Sequence, residues 1–216
     1  GGSVYVTVGS GDSGSGGDVV ITAGGSSGGA AANSGGQVYM SAGTSASQTG
    51  GRIFIRSGVS TAKSSGALGI MSVDSGTAGV SGYLVLSSGS SLNGNSGAFY
   101  VGSGSSASGR GGSVYVTVGS GDSGSGGDIV LMAGTSSFDA GGQIYLSGGT
   151  TSVQTGGRIL IQSGFSSAKS SGVVGIQSAD SGTNGVSGYL VMSSGSSLDG
   201  NSGAFYVGSG SSASGR

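Results

Sequence analysis

The 216-residue chain contains no cysteine, no histidine and no proline, and all eight of its acidic residues are aspartates. Without cysteine there are no disulfides, no thiolate-held metals and no thiol chemistry. Without histidine the commonest general base and the commonest transition-metal ligand are gone. Charge is scarce as well: seven Lys plus Arg nearly cancel the aspartates, and only 7% of residues are charged. A nucleic-acid binder would carry a basic stripe and a membrane-surface binder a cationic amphipathic helix. Neither is present, so no nucleic-acid or membrane partner is expected. No apolar run approaches the length of a membrane span, and no signal peptide is visible. A collagen-like chain is excluded too, because glycine does not recur at every third residue and proline is absent.

What is abundant is glycine, 54 residues of 216. Glycine with serine would ordinarily mean a flexible linker. Here 34% of residues are hydrophobic, and they fall in alternation instead of scattering. The chain is also two copies of one module. The stretch GGSVYVTVGSGDSGSGGD at 1–18 returns unchanged at 111–128, and NSGAFYVGSGSSASGR at 95–110 returns at 201–216. Module 1 is therefore residues 1–110 and module 2 residues 111–216. A chain so self-similar suggests a scaffold or a material in preference to a single site.

A shorter period lies inside the longer one. Gly1, Gly16, Gly35, Gly50, Gly66, Gly82 and Gly97 each head an apolar alternation, and so do Gly111, Gly126, Gly141, Gly156, Gly172, Gly188 and Gly203. The spacing is 14 to 16 residues, with one 19-residue exception where GGSSGGAAANS carries extra small residues. Units such as GGSVYVTVG, GGDVVITAG and GGRIFIRSG read as strands by their period of two. Helix is excluded by the apolar spacing and by the frequency of glycine. About fifteen residues is too short for a strand–helix–strand unit, and a meander of hairpins would not need the same register at each turn. The expected fold is all-β: a parallel β-solenoid (β-helix) of about 14 coils of 14–16 residues, in two continuous seven-coil modules, with equivalent residues stacked about 4.8 Å apart.

Two rows are assigned to the solenoid interior. One runs Val4, Val19, Val38, Ile53, Leu68, Leu84, Phe99; the other runs Val6, Ile21, Met40, Ile55, Ile70, Leu86, Val101. Two residues apart, they share one side of the strand. Ala46, Ala62, Ala78, Leu92 and Ala107, with Phe138, Val153, Ala168 and Leu198 in module 2, are expected to form the opposite wall. The glycine pairs are expected at the corners, where positive φ or close backbone approach is needed. So thin a core cannot offset the cost of ordering a glycine-rich chain. Backbone ladders, Ser/Thr stacking and burial of an outer face are expected to supply the remainder.

Between the interior rows lies a third row that should be polar and is not. It reads Tyr5, Val20, Tyr39, Phe54, Gly69, Val85, Tyr100, then Tyr115, Val130, Tyr145, Leu160, Gly175, Val191, Tyr206. Its aromatic members, Tyr5, Tyr39, Phe54, Tyr100, Tyr115, Tyr145 and Tyr206, are the candidate association or ligand surface. One reading is β-propensity, with rings stabilising their own ladder. The other is an interface, since a long apolar strip is unusual on a soluble monomer. The partners it would fit are copies of the chain itself or a polysaccharide.

Chemical motifs are weak. SGSGGDVVI at 13–21 approaches the glycine-rich calcium repeat of secreted toxins but lacks its leading glycine. The column Thr7, Thr22, Ser41, Arg56, Met71, Ser87, Gly102 is too irregular for ice binding. Asp12 and Asp18 are the only close carboxylates, short of the pair that acid–base sugar chemistry needs. The glycine-rich turns are followed by no lysine and no helix, so they are not phosphate loops. Asp18, Gln37 and Arg52 share one coil position and read either as a stacked register column or as solvated side chains. No enzyme activity, cofactor or metal is expected.

The units SGDSGSGGDVVITAG, SSGALGIMSVDSGTAGVSGYLVLSSGSS and GNSGAFYVGSGSSASGRGG resemble the Gly/Ser-rich tandem repeats of giant predicted secreted proteins in diatoms and related algae. The resemblance spans essentially the whole chain. It implies an extracellular structural or adhesive fibre of β-solenoid type and brings no catalytic residues. The expected function is a structural filament segment, a stiff rod that self-associates through the Tyr/Val/Phe row; the alternative is an adhesin or carbohydrate-binding stalk using that row as its platform. Neither end shows a capping helix or a polar last coil, so continuation by more chain or by another subunit is expected. An amyloid-like assembly of short segments ranks lowest, because it would not require a 110-residue super-period.

Overall fold

The computed structural model describes residues 1–28 and 34–213. The insertion in GGSSGGAAANS lies partly outside the described residues, as does the C-terminal Arg216. The chain divides into two units, Gly1–Gly102 and Ser103–Arg216.

The expected parallel β-solenoid does not form. Among the described residues there is no strand and no helix, hence no sheet, no barrel and no β-helix. The backbone–backbone hydrogen bonds there number nine, against roughly one hydrogen bond per residue in ordinary folded chains, about two-thirds of them backbone. A solenoid requires each coil to bond to the next along its whole length, and no such ladder exists.

What replaces it is a reversal, repeated with the period read from the sequence. At nine junctions the stretch ends on a glycine whose carbonyl accepts from the glycine that opens the next stretch; no such bond stands ahead of the repeats headed by Gly82, Gly97, Gly188 and Gly203. In unit 1 the Gly17, Gly36, Gly51 and Gly66 amides donate to the carbonyls of Gly9, Gly24, Gly43 and Gly58 at 2.8–3.1 Å. In unit 2 Gly112, Gly127, Gly142, Gly157 and Gly172 donate to Gly104, Gly119, Gly134, Gly149 and Gly164, again at 2.8–3.1 Å. Eight of these nine pins span eight residues, so at each pinned repeat the chain closes a small loop instead of a fifteen-residue coil. Short loops are cheap to close. Beyond the pin, adjacent stretches exchange no further backbone bonds.

The loops carry regular bends. In unit 1 these fall at 12–14, 46–48, 61–63, 77–79 and 92–94; in unit 2 they fall at 107–109, 122–124, 137–139, 152–154, 167–169, 183–185 and 198–200. Serine and threonine hydroxyls organise many of them. The Ser45 Oγ accepts from the Gln48 amide at 3.0 Å, Ser60 from Lys63 at 2.9 Å, Ser136 from Asp139 at 2.9 Å and Ser166 from Lys169 at 2.9 Å. A hydroxyl that bonds an amide three residues on offers the backbone a turn in place of a ladder. The two SGT turns close differently: the Ser75 hydroxyl donates to the Gly79 carbonyl at 3.2 Å, and Ser181 to Gly185 at 3.1 Å.

At Gly36, Gly51, Gly112, Gly142 and Gly157 glycine serves close approach at the pin, not handedness. No described glycine has positive φ. A Cβ on Gly51 would lie 3.0 Å from the Gly43 nitrogen and 3.2 Å from the Ala42 Cβ, whereas a Cβ on Gly58 would meet nothing within 4 Å. We therefore expect Gly51→Ala to open its pin and Gly58→Ala to leave the 58–66 pin closed. Amide exchange checks this. The residue-51 amide should exchange about fivefold faster in G51A, as loss of a bond worth about 1 kcal/mol implies, while the Gly66 amide in G58A keeps the parental rate.

No interior exists for the two aliphatic rows. None of the described residues is buried. The few that are even partly covered, Ala42, Ser57, Ala133, Gly148, Ser163 and Ser166, include five that directly precede a pinned glycine. The supposed opposite wall is displaced entirely. Ala46, Ala62, Ala78, Leu92, Ala107, Phe138, Val153, Ala168 and Leu198 all lie in the bends, and Leu92, Phe138 and Leu198 are fully exposed. With the small-residue wall at the loop tips, two aliphatics per repeat have nothing to close against. The surface area reflects this. It is 21,489 Å², where a compact monomer of this mass exposes about 8,700 Å² and the unfolded chain about 29,000 Å².

Candidate association surface

Extended backbone gives each stretch two faces, and the structure keeps them distinct even without burial. In the stretch after Gly51, Ile53 and Ile55 are 51% and 56% exposed, while Phe54 between them is 84% exposed. The same ordering holds at Val38, Tyr39 and Met40, at Phe99, Tyr100 and Val101, and at Ile144, Tyr145 and Leu146. The face that carries the Val8 position turns toward the pin, where its equivalents Ala42, Ser57 and Ser103 stand beside Gly51, Gly66 and Gly112. The Val8 Cβ lies 3.4 Å from where a Cβ on Gly17 would sit, and Val118 stands in the same relation to Gly127.

Tyr5, Tyr39, Phe54, Tyr100, Tyr115, Tyr145 and Tyr206 are all highly exposed, and by parity each falls on the face opposite the Val8 position. Tyr83 and Tyr189 belong with them. Each stands two residues before the row members Val85 and Val191, and each is as exposed as Tyr5. Parity alone identifies them, since residues two apart share a face; counting one row position per repeat left them out. All eight tyrosines of the chain therefore lie on one kind of face.

An open hollow is lined by Phe54, Ile55 and Arg56. It pairs one aromatic with one guanidinium on the same face, without enclosure. Among the described residues no group of three or more Asp side chains is placed to hold a metal ion. Asp18, Gln37 and Arg52 are exposed, and without stacked coils they form no register column. No helix among them is long and apolar enough to cross a membrane.

A second apolar set, missed as a surface by the sequence reading, stands at the bend tips. Leu92, Phe138, Val153 and Leu198 project into solvent beside Asn93, Asp139, Gln154 and Asp199. The signal that would have placed them is the Ser/Thr two residues earlier: Ser90, Ser136, Thr151 and Ser196 mark turn positions, not a strand.

Neither a protein-family model, nor a curated protein, nor a solved structure matches this chain.

Proposed function

We propose that this chain is a structural segment of an extracellular filament or matrix, associating through its outward tyrosine face. The observation that carries the reading is the uncovered surface. A chain that leaves its tyrosines and aliphatics open to water gains free energy by covering them. Near-zero charge removes the repulsion that would keep copies apart. Module repetition multiplies each contact, so weak individual patches add along the chain. Secretion fits a mechanical role in a matrix.

The test is the triple variant Tyr39→Ser, Tyr100→Ser, Tyr145→Ser. Sedimentation of the parent and variant is expected to show the critical concentration for assembly raised at least about tenfold, since each lost aromatic pair is worth about 0.5–1.5 kcal/mol beyond its area. Binding to a panel of insoluble polysaccharides is expected to be the same for both. Unchanged assembly with lost polysaccharide binding would overturn the filament reading in favour of a carbohydrate-binding stalk.

A further inference from the structure

Beyond the side-chain face, the backbone itself is unspent. Between Gly2 and Gly9, and in the later stretches, side chains alternate as on an extended chain, and no backbone–backbone hydrogen bond is made away from the terminal pins. Extended backbone with open donors and acceptors is the template that adds another extended chain. We infer that successive copies of this chain stack on one another through these stretches, pairing backbone to backbone, residue on equivalent residue. This rests on the filament reading and adds to it the bond that propagates the filament.

Three observations select another copy as the occupant. The first is area. The surface in excess of a compact monomer is about 13,000 Å², whereas one standard protein interface covers about 1,200–2,000 Å². A single partner of ordinary size leaves most of it open; an open-ended stack covers both sides of every stretch. The second is charge. Stacking equivalent residues sets like on like, which a charge-rich chain resists, yet here only 7% of residues are charged. The third is register. A stack shifted by one module would lay identical stretches together at 1–18 and 111–128, but the copies differ by four residues in one loop. The Gly24–Gly36 pin spans twelve residues where Gly134–Gly142 spans eight. Only residue-on-residue stacking avoids that mismatch. The long super-period then has a physical use, as the feature that fixes alignment between chains.

The test uses the full 216-residue chain. Aligned assemblies are expected to give a meridional reflection at about 4.8 Å, the spacing of bonded extended chains. The double variant Val38→Pro, Ile144→Pro removes two stretch amides while keeping Tyr39 and Tyr145. It is expected to raise the critical concentration at least about tenfold, because proline is excluded from a central ladder. Leu92→Pro, Leu198→Pro places the same residue at bend tips and is expected to assemble like the parent. Assemblies that lack the reflection, or a V38P/I144P variant that assembles as readily as the parent, would overturn backbone stacking and leave the tyrosine-face filament standing. A parent that stays dispersed at all concentrations would overturn both.

Discussion

Trypsin is expected to cut the dispersed chain after Arg52, Arg56, Lys63, Arg110, Arg158 and Lys169 at rates close to those of an unstructured peptide, and the assembled chain at least about a hundredfold more slowly. All six residues are exposed. A protease needs several consecutive residues in extended form, and in a compact domain most of the delay is the local unfolding that supplies them. Here Ile53–Ile55, Ile159–Ile161 and their neighbours are already extended and bonded to nothing beyond the pins. Arg52 and Arg158 each follow a pinned glycine directly, at Gly51 and Gly157, so their bonds should be the slowest of the six by a small factor. Stacking would enclose the same bonds between two further chains, which accounts for the protection. Fragment masses over a time course, for dispersed and sedimented material, provide the measurement. Resistance of the dispersed chain would show that single molecules bury these stretches and would remove the basis for association.

The period and the parity of the faces were legible in the sequence. Phe54 is more exposed than Ile53 and Ile55, as alternation requires, whereas the bends fall on Ala46, Leu92 and their equivalents, where a facing wall was expected. Closure was not legible. A period near fifteen residues is satisfied equally by a coil that returns above itself and by an extended stretch followed by an eight-residue pinned loop. The glycine pattern alone does not separate them, because both need close approach at the corners. Side-chain size offered the discriminating clue. Leu92, Phe138 and Leu198 are large for a thin core's facing wall, and each sits two residues after a hydroxyl that favours a turn. Equally telling was the shortfall of apolar burial, which required something outside the coil to be covered. That requirement stands here for the whole chain instead of one face.

The dispersed chain is expected to melt without a cooperative transition, although a compact protein of this length would show a sharp one. Cooperativity comes from surface that is buried all at once. A compact monomer of this mass removes about 20,000 Å² from water on folding, and this chain, at 21,489 Å² exposed, removes only about a third of that. The slope of stability with denaturant and the heat-capacity change both scale with that area, so both should fall to about a third of their usual size. What is buried is also divided among separate loops. The pin from Gly51 to Gly43 and the pin from Gly66 to Gly58 share no ladder, so one can open without the other. Calorimetry at low micromolar concentration should therefore show a broad slope with no peak, and circular dichroism a linear drift. In assembled material the same residues are covered together, and a transition should appear whose midpoint rises with total concentration, because association stabilises by mass action. A sharp endotherm in the dispersed chain, with a midpoint independent of concentration, would mean that one molecule already encloses a core.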